Sequence, residues 1–228
     1  MMRAWLDENI DHKLLIPKGA KGLRFEQSEQ DDAYHLPTSL GNFSGGGPSE
    51  AHCAIDAERI TPETTATWCI EQLREHFPDT VSTLRLSFDI EPIAGPYYHY
   101  THGLRKHDGN SQRIAHGHRS KIEIWKDGDL DQSLMRERAD EWKDIYIGTR
   151  SDLDQANCTD DNYAFRYRAQ QGEFFISLPK TQCYLIDSYS TVEYIAAHLA
   201  DTLKQGAPAS DFHVRAFEGF GKGAIAER

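Results

Sequence analysis

The sequence has no surplus of basic residues: 25 lysines and arginines stand against 36 aspartates and glutamates, a formal net charge of -11 at pH 7. This balance argues against a general binder of nucleic-acid backbones, because such proteins neutralise phosphates with lysine and arginine. No apolar run approaches the roughly 20 residues that a membrane-spanning helix needs. No basic segment followed by an apolar one marks a signal peptide. We therefore expect a cytoplasmic protein with no nucleic acid and no membrane among its partners.

Cysteine is also scarce, with four residues and no C-x-x-C spacing. Free thiols in a reducing compartment are the simplest interpretation. The Gly-x-Gly pairs do not lie between a strand and a helix, which excludes a dinucleotide-binding fingerprint. Hydrophobic residues make up 39% of the 228 residues and aromatic residues 11%, which is enough for one large or two small globular domains.

The chain does contain an internal repeat. Four residues recur 130 positions further on, as Cys53 and Cys183, Leu73 and Leu203, Pro78 and Pro208, and Arg85 and Arg215. Around them, each copy predicts the end of a strand, an amphipathic helix and a second strand, the last over 83–90 and 212–218. Thr61 and Pro62 predict the start of the first helix. Ser190 and Glu193 predict a capping box at the start of the second.

A further helix is expected before each copy, over 2–10 and over 130–145. Only the second copy is preceded by a predicted hairpin, formed by 97–104 and 119–125. Because the first copy begins inside its helix, we expect a truncated chain, a misplaced start or a genuine loss of that hairpin. Residues 41–50, GNFSGGGPSE, are expected to form a flexible loop. The predicted domains are 1–93 and 94–228.

Histidines are concentrated in one region, where five of the eleven fall between residues 99 and 118. His116 and His118 share one face if HGHRSKIEIW is a strand, because alternate side chains point the same way. The preceding strand of the hairpin offers His102 as a third imidazole, with His99 and His107 as alternatives. Three histidines with an open fourth position form the ligand set of a catalytic zinc. The competing interpretation is a chance pair in which one histidine is simply buried in the core.

The segments HYTHGL and GNSQRIAHGH resemble the family of 6-pyruvoyl- and 6-carboxy-tetrahydropterin synthases. Three further segments resemble the same family: IDHKLLIP (10–17), STVEYIAAHL (190–199) and VRAFEG (214–219). The resemblance covers most of both repeats and implies an α+β tandem T-fold, with antiparallel sheets that each carry two helices on one face. It also implies a homo-oligomer.

The resemblance assigns a role to individual residues. It implies that Zn²⁺ is bound by His102, His116 and His118. It implies that Asp11 and His12 are a catalytic pair and that Glu218, Thr191 and Ser190 bind a pterin. In single-repeat members the metal ligands and the Asp-His pair come from neighbouring subunits. Here they fall in different repeats of one chain, because the second repeat has WKDIYIG, with Asp144, where Asp-His is expected.

The implied substrate is 7,8-dihydroneopterin triphosphate, and the 6-carboxy-tetrahydropterin branch, which leads to queuosine, is the expected type. Ser111 departs from the pattern, because it stands where the family has a catalytic cysteine and a hydroxyl is a far weaker acid than a thiol. Three explanations remain open: an engineered cysteine-to-serine change, a naturally impaired enzyme, or a variant that uses His12 as its base. The first two are favoured. The alternatives are a 6-pyruvoyl-tetrahydropterin synthase, a catalytically impaired pterin-binding protein and a zinc-stabilised structural subunit.

Overall fold

The computed structural model of the chain describes residues 2–228. Its first half contains two helices and five strands. These are α1 (Met2–Asn9), β1 (Leu14–Pro17), β2 (Arg24–Gln27), β3 (Asp31–Thr38), β4 (Gly41–Pro48), β5 (His52–Ile55) and α2 (Pro62–Leu73).

The second half contains two helices and nine strands. These are β6 (Tyr97–His102), β7 (His116–Lys126), β8 (Asp129–Leu130), α3 (Gln132–Glu141), β9 (Lys143–Thr149), β10 (Asn162–Ala169), β11 (Gly172–Pro179), β12 (Cys183–Ile186), α4 (Val192–Gly206), β13 (Phe212–Gly219) and β14 (Lys222–Glu227). The predicted hairpin over 97–104 and 119–125 is confirmed, because β6 and β7 pair antiparallel.

The internal repeat is visible in the order of these elements. The series α1, β1, β3, β4, β5, α2 matches the series α3, β9, β10, β11, β12, α4, and the parallel pair β1–β5 matches the parallel pair β9–β12. Because β5 begins at His52 and β12 at Cys183, Cys183 corresponds to His52. The predicted equivalence of Cys53 and Cys183 is therefore off by one residue, since the turns into the two helices differ in length.

A seven-stranded sheet has the order β12-β9-β6-β7-β13-β14, with β8 paired to β7. Helices α3 and α4 pack on one face of this sheet. Alternate residues of β7 and β13, such as Ile122, Ile124 and Val214, are fully buried beneath them together with Trp142 and Leu199. Burial of such side chains stabilises the fold by about 1.5–3 kcal/mol each. The predicted α+β T-fold is confirmed.

A second sheet joins the two halves of the chain. Its order is β10-β11-β4-β3-β2, and β4 pairs antiparallel with β11. Phe165, Phe174 and Tyr167 of β10 and β11 are buried in the core beside this sheet. The predicted domains 1–93 and 94–228 therefore share a hydrogen-bonded sheet, and their division remains a prediction about the repeats.

The prediction of a flexible loop at 41–50 is wrong, because residues 41–48 form β4. Its glycines allow close packing. A Cβ on Gly45 would lie 2.4 Å from Tyr34 Oη, and one on Gly46 would lie 2.4 Å from the carbonyl oxygen of Asp32. Glycine is used where two backbones approach closely in a sheet.

The predicted strand over 83–90 is also wrong, since these residues have no regular structure. The matching strand of the second half, β13, is held between β7 and β14. In the first half, within residues 2–96, no strands correspond to β7 and β14. An alternating sequence therefore does not make a strand here, because strands need partners for their backbone groups.

The helix boundaries correct two further predictions. The predicted helix 130–145 is shorter, because α3 begins after the N-cap Asp131 and ends before Trp142. At α4 the N-cap is Thr191 and makes no side-chain cap, so the predicted capping box of Ser190 and Glu193 is wrong. Thr61 caps α2 with Pro62 at its start, as predicted. All four cysteines are free. Among residues 2–228 no helix is both long and apolar enough to cross a membrane.

Candidate metal centre and active site

The pairing of β6 with β7 brings three imidazoles together. His102 lies directly opposite His116, and Tyr100 lies opposite His118. The potential ligand atoms of His102, His116 and His118 all lie within 4.8 Å of one another. His102 is fully buried, His116 is 6% exposed and His118 is half-buried. The three side chains therefore form a compact cluster at one end of the seven-stranded sheet.

Each ring is held through its Nδ1 atom. His116 Nδ1 lies 3.1 Å from the carbonyl oxygen of Arg113, and His118 Nδ1 lies 2.8 Å from that of Glu218. Because a carbonyl only accepts, both Nδ1 atoms donate, and the Nε2 lone pairs remain free. His102 Nδ1 lies 2.9 Å from the Ser190 hydroxyl. Such contacts orient the histidine ligands of metal sites.

The charge state of the cluster also fits a metal. Burial lowers the pKa of His102 and His118, and it lowers the pKa of His116 to about 3. The rings are therefore neutral near pH 7, which is the form that binds metal ions. His102 Nε2 is buried and has no hydrogen-bond partner among the described residues. An unpaired buried nitrogen within a group of three imidazoles fits a divalent cation such as Zn²⁺.

The two alternative third ligands lie elsewhere. His99 Nδ1 is 2.6 Å from Asp144 Oδ1, and both side chains are exposed. His107 is exposed, and its Nδ1 donates to the carbonyl oxygen of Asp108 at 3.0 Å. Of the candidates that the sequence left open, only His102 joins His116 and His118.

The first half of the chain contributes an Asp-His pair beside this cluster. The ring of His12 lies 5.3 Å from the ring of His116, measured between centroids. Asp11 Oδ2 lies 2.8 Å from His12 Nδ1, so the aspartate fixes the orientation and tautomer of the imidazole. His12 has a φ of 55°, in the left-handed region where histidine is tolerated. The two repeats therefore bring their functional candidates together within one chain.

Ser111 lies in a 3₁₀ turn, Gly109–Gln112, between β6 and β7. It is half-buried, and its carbonyl oxygen accepts from the backbone N–H of Leu104 at 3.1 Å. The nearby Gln112 is fully buried and fastens this turn through its side chain to the carbonyl oxygen of Gly109. The serine is thus held on a fixed turn, five residues before His116.

The residues expected to contact a pterin lie close to the histidines but differ in setting. Ser190 is fully buried, with its hydroxyl on His102, while Thr191 is half-buried at the start of α4. Glu218 lies at an irregularity in the pairing of β13 with β14, and its Oε1 is 2.5 Å from Lys222 Nζ. The backbone carbonyl of Glu218 therefore accepts a hydrogen bond from His118, while its carboxylate is paired with Lys222.

Sequence reasoning missed Arg113. It is 5% exposed, its carbonyl supports His116, and its guanidinium approaches the backbone carbonyls of Asp11 and His12. Its position between Ser111 and His116 was the available signal. The contact across the two halves of the chain has no signature in the sequence, because it depends on how the segment before β7 and the turn after α1 come together.

Comparisons with known proteins give one clear result. The family model described as 6-pyruvoyl tetrahydropterin synthase matches residues 96–228. Among solved structures, a catalytic-residue mutant of 6-pyruvoyltetrahydropterin synthase from Plasmodium vivax is 17% identical, with a TM-score of 0.42, over 58% of this chain and 91% of its own. The Plasmodium falciparum 6-pyruvoyl tetrahydropterin synthase is 13% identical, with a TM-score of 0.43, over 58% and 91%. No curated protein matches the chain.

The matched residues 96–228 include all three histidines of the cluster, Ser111 and Glu218, and they span more than half of the chain. On this match, the chain belongs to the 6-pyruvoyl tetrahydropterin synthase family.

Proposed function

We propose that the protein is a Zn²⁺-dependent lyase that acts on 7,8-dihydroneopterin triphosphate, of the 6-carboxy-tetrahydropterin synthase type. The observation that carries the proposal is the meeting of two sets of side chains. A neutral three-histidine cluster comes from the second half of the chain, and an Asp-His pair comes from the first half. A metal ligand set beside a titratable pair is the arrangement expected for metal-assisted proton transfer.

His102, His116 and His118 would hold the metal through their free Nε2 atoms. The chemistry that bound Zn²⁺ supplies is that of a Lewis acid, which would polarise the side-chain hydroxyls of the substrate and make them more acidic. The contacts to Ser190 and to the carbonyls of Arg113 and Glu218 would orient the three rings for this role.

His12 would act as a proton shuttle for the group that takes a proton from the reacting carbon. Because Asp11 accepts from Nδ1, the Nε2 atom of His12 is the one available for this exchange. The distance of 5.3 Å between its ring and that of His116 supports a role for His12 beside the proposed metal. Asp11 would also stabilise the imidazolium that forms when the ring takes up a proton.

Glu218 would bind the pterin by accepting hydrogen bonds from its N–H groups, with Thr191 at the start of α4 as a second contact. A carboxylate that accepts two hydrogen bonds gives strong, directional recognition. The ion pair of Glu218 with Lys222 must open or shift for this to occur. Because Lys222 is largely exposed, that rearrangement costs little.

Ser111 is the decisive test of the proposal. We expect Ser111→Cys, with zinc content confirmed, to raise turnover of 7,8-dihydroneopterin triphosphate at least about tenfold, because a thiolate is a far better base than a hydroxyl. Mass spectrometry of the product would distinguish a 6-carboxy from a 6-pyruvoyl tetrahydropterin. Absence of any gain in the zinc-loaded variant would contradict the assignment of Ser111.

The serine also favours a second candidate function, a pterin-binding protein that keeps the site but turns substrate over weakly. Tight binding of the substrate by the zinc-loaded protein, with turnover only in Ser111→Cys, would identify this case. Zinc binding without any affinity for pterin would instead indicate a structural role for the metal. We further propose a cytoplasmic homo-oligomer, and the mass of the protein in solution would test its assembly.

A further inference from the structure

Arg113 links the two halves of the proposed site. Its carbonyl oxygen accepts from His116 Nδ1, so its backbone belongs to the histidine cluster. Its side chain turns the other way, toward the first half of the chain. There Nη1 lies 3.4 Å from the carbonyl oxygen of Asp11 and 3.5 Å from that of His12. One residue therefore contacts both the cluster and the Asp-His segment.

The guanidinium is anchored by a second set of contacts. Nε donates to Gln171 Oε1 at 3.2 Å. Gln171 is itself held, because its Nε2 donates to Asn110 Oδ1 at 2.8 Å and its backbone N–H donates to Gln112 Oε1 at 2.7 Å. The side chain of Arg113 is therefore fixed by the turn between β10 and β11 and by the 3₁₀ turn that carries Ser111.

The environment of this arginine is unusual for a structural residue. Arg113 is only 5% exposed, yet within residues 2–228 no carboxylate oxygen lies within 4.0 Å of its guanidinium nitrogens. The carboxylates of Glu50 and Asp11 favour its charged form from a greater distance. A buried charge without a directly paired counterion costs stability, and these weaker contacts offset only part of that cost. Its placement at the junction of the two repeats indicates a role in the site.

We propose that Arg113 is a positioning residue that holds the Asp11–His12 turn against the ring of His116. This proposal rests on the proposed function, because it concerns the proton transfer assigned to His12. The side chains of Asp11 and His12 are 54% and 32% exposed, so their mutual hydrogen bond does not fix the turn by itself. The contacts of the guanidinium with two carbonyl oxygens tie this turn to the second half of the chain.

The turn itself does not require the arginine. The second half repeats it at Asp144, which has a φ of 56° against 55° for His12. There the side chain is paired with the exposed His99. The left-handed turn is therefore built into each repeat, and in the first repeat the carbonyls of that turn are tied to Arg113. Arg113 instead holds His12 in its position relative to His116.

The test uses the full chain with Arg113→Met and Arg113→Lys. Zinc affinity is measured with the metal alone, and we expect it to change less than about twofold, because the Arg113 carbonyl remains. Side-chain NMR relaxation should show a more mobile His12 ring in Arg113→Met. In the active Ser111→Cys background, kcat should fall about 10- to 100-fold while KM changes little, since displacement of a catalytic group by about 1 Å can cost that much. Arg113→Lys should recover part of this loss.

Arg166→Met serves as the matched control, because Arg166 is a half-exposed arginine paired with Asp154 and Glu173 on β10. If Arg113→Met does not fold, Gln171→Ala removes the acceptor of Nε and should mobilise the His12 ring to a smaller extent. An unchanged His12 ring in the folded variants would overturn the proposal, as would a loss of zinc affinity as large as the loss of kcat. If the protein shows no turnover in any background, the proposed function fails, while the mobility of His12 still decides the role of Arg113.

Discussion

The two helix-to-strand junctions of this chain share one backbone conformation but lie in different surroundings. In each repeat a residue in the left-handed region follows a helix, just before the parallel-paired strand β1 and at the start of the parallel-paired strand β9. At the first junction that residue is His12, next to the histidine cluster. At the second it is Asp144, on the surface with His99. A repeated backbone therefore fixes where a side chain is presented, and the neighbouring elements decide what it can do.

The first test of this difference is removal of the imidazole at the first junction. We expect His12→Ala to lower kcat about 10²- to 10⁴-fold in the Ser111→Cys background, the usual contribution of a general acid or base. Zinc affinity should not change, because His12 is not a proposed ligand. Kinetics with matched zinc content measure the effect. A residual kcat within a fewfold of the parent would remove His12 from the mechanism.

A second contrast concerns the strands β5 and β12, where His52 in the first half corresponds to Cys183 in the second. His52 is 8% exposed, and burial, followed by Arg113 and Lys13, lowers its pKa to about 4. Burial also raises the pKa of Asp32, whose Oδ2 lies 3.4 Å from His52 Nδ1.

Between pH 6.5 and pH 4 the unfolded chain binds a proton on His52 that the folded chain does not bind. The free energy of unfolding therefore falls as the pH drops through this range, by up to about 3 kcal/mol from this group. We expect His52→Cys, which copies the second half, to remove this part of the acid sensitivity. Urea titrations of the metal-free protein at pH 7 and pH 4 measure it, with His76→Cys as an exposed control. Equal losses of stability in the parent and in His52→Cys would contradict the prediction.

The third test concerns Ser190 in the second half of the chain, whose hydroxyl contacts His102 of the cluster. We expect Ser190→Ala to weaken zinc binding about 10- to 100-fold, since loss of a group that orients a ligand typically has this effect. Thr191→Ala, one residue further on and without a contact to His102, should leave the affinity unchanged. Competition with a chelator of known affinity gives both values. Identical affinities in the two variants would show that the hydroxyl does not orient His102.

The smallest effect is expected at the second junction. Asp144→Asn should change turnover less than about twofold, because the Asp144–His99 pair is exposed and far less confined than the cluster. Its contribution to stability should be below about 1 kcal/mol, as for other exposed ion pairs. Thermal unfolding and the synthase assay check both statements. A large loss of turnover would mean that both junctions serve the chemistry.

Local sequence patterns were sufficient to predict the grouping of the histidines and the existence of the repeat. Two histidines with one residue between them must share a face of β7, and a hairpin must bring the preceding strand alongside, because these are consequences of strand geometry. The apolar stripe of α4, with Ile195, Ala196 and Leu199 buried, followed in the same way from helical periodicity.

Which residues meet across long distances in the sequence became clear only from the packing of the fold. No local pattern records the packing that brings His102, rather than His99 or His107, to the other two histidines. The same is true of the contact between Ser190 and the ring of His102, and of the contact between Arg113 and the first half of the chain. The same holds for two errors, since residues 41–48 pair as a strand and residues 83–90 do not. Local sequence sets what a segment can form, and the partners available in the fold decide whether its backbone groups and buried side chains are satisfied.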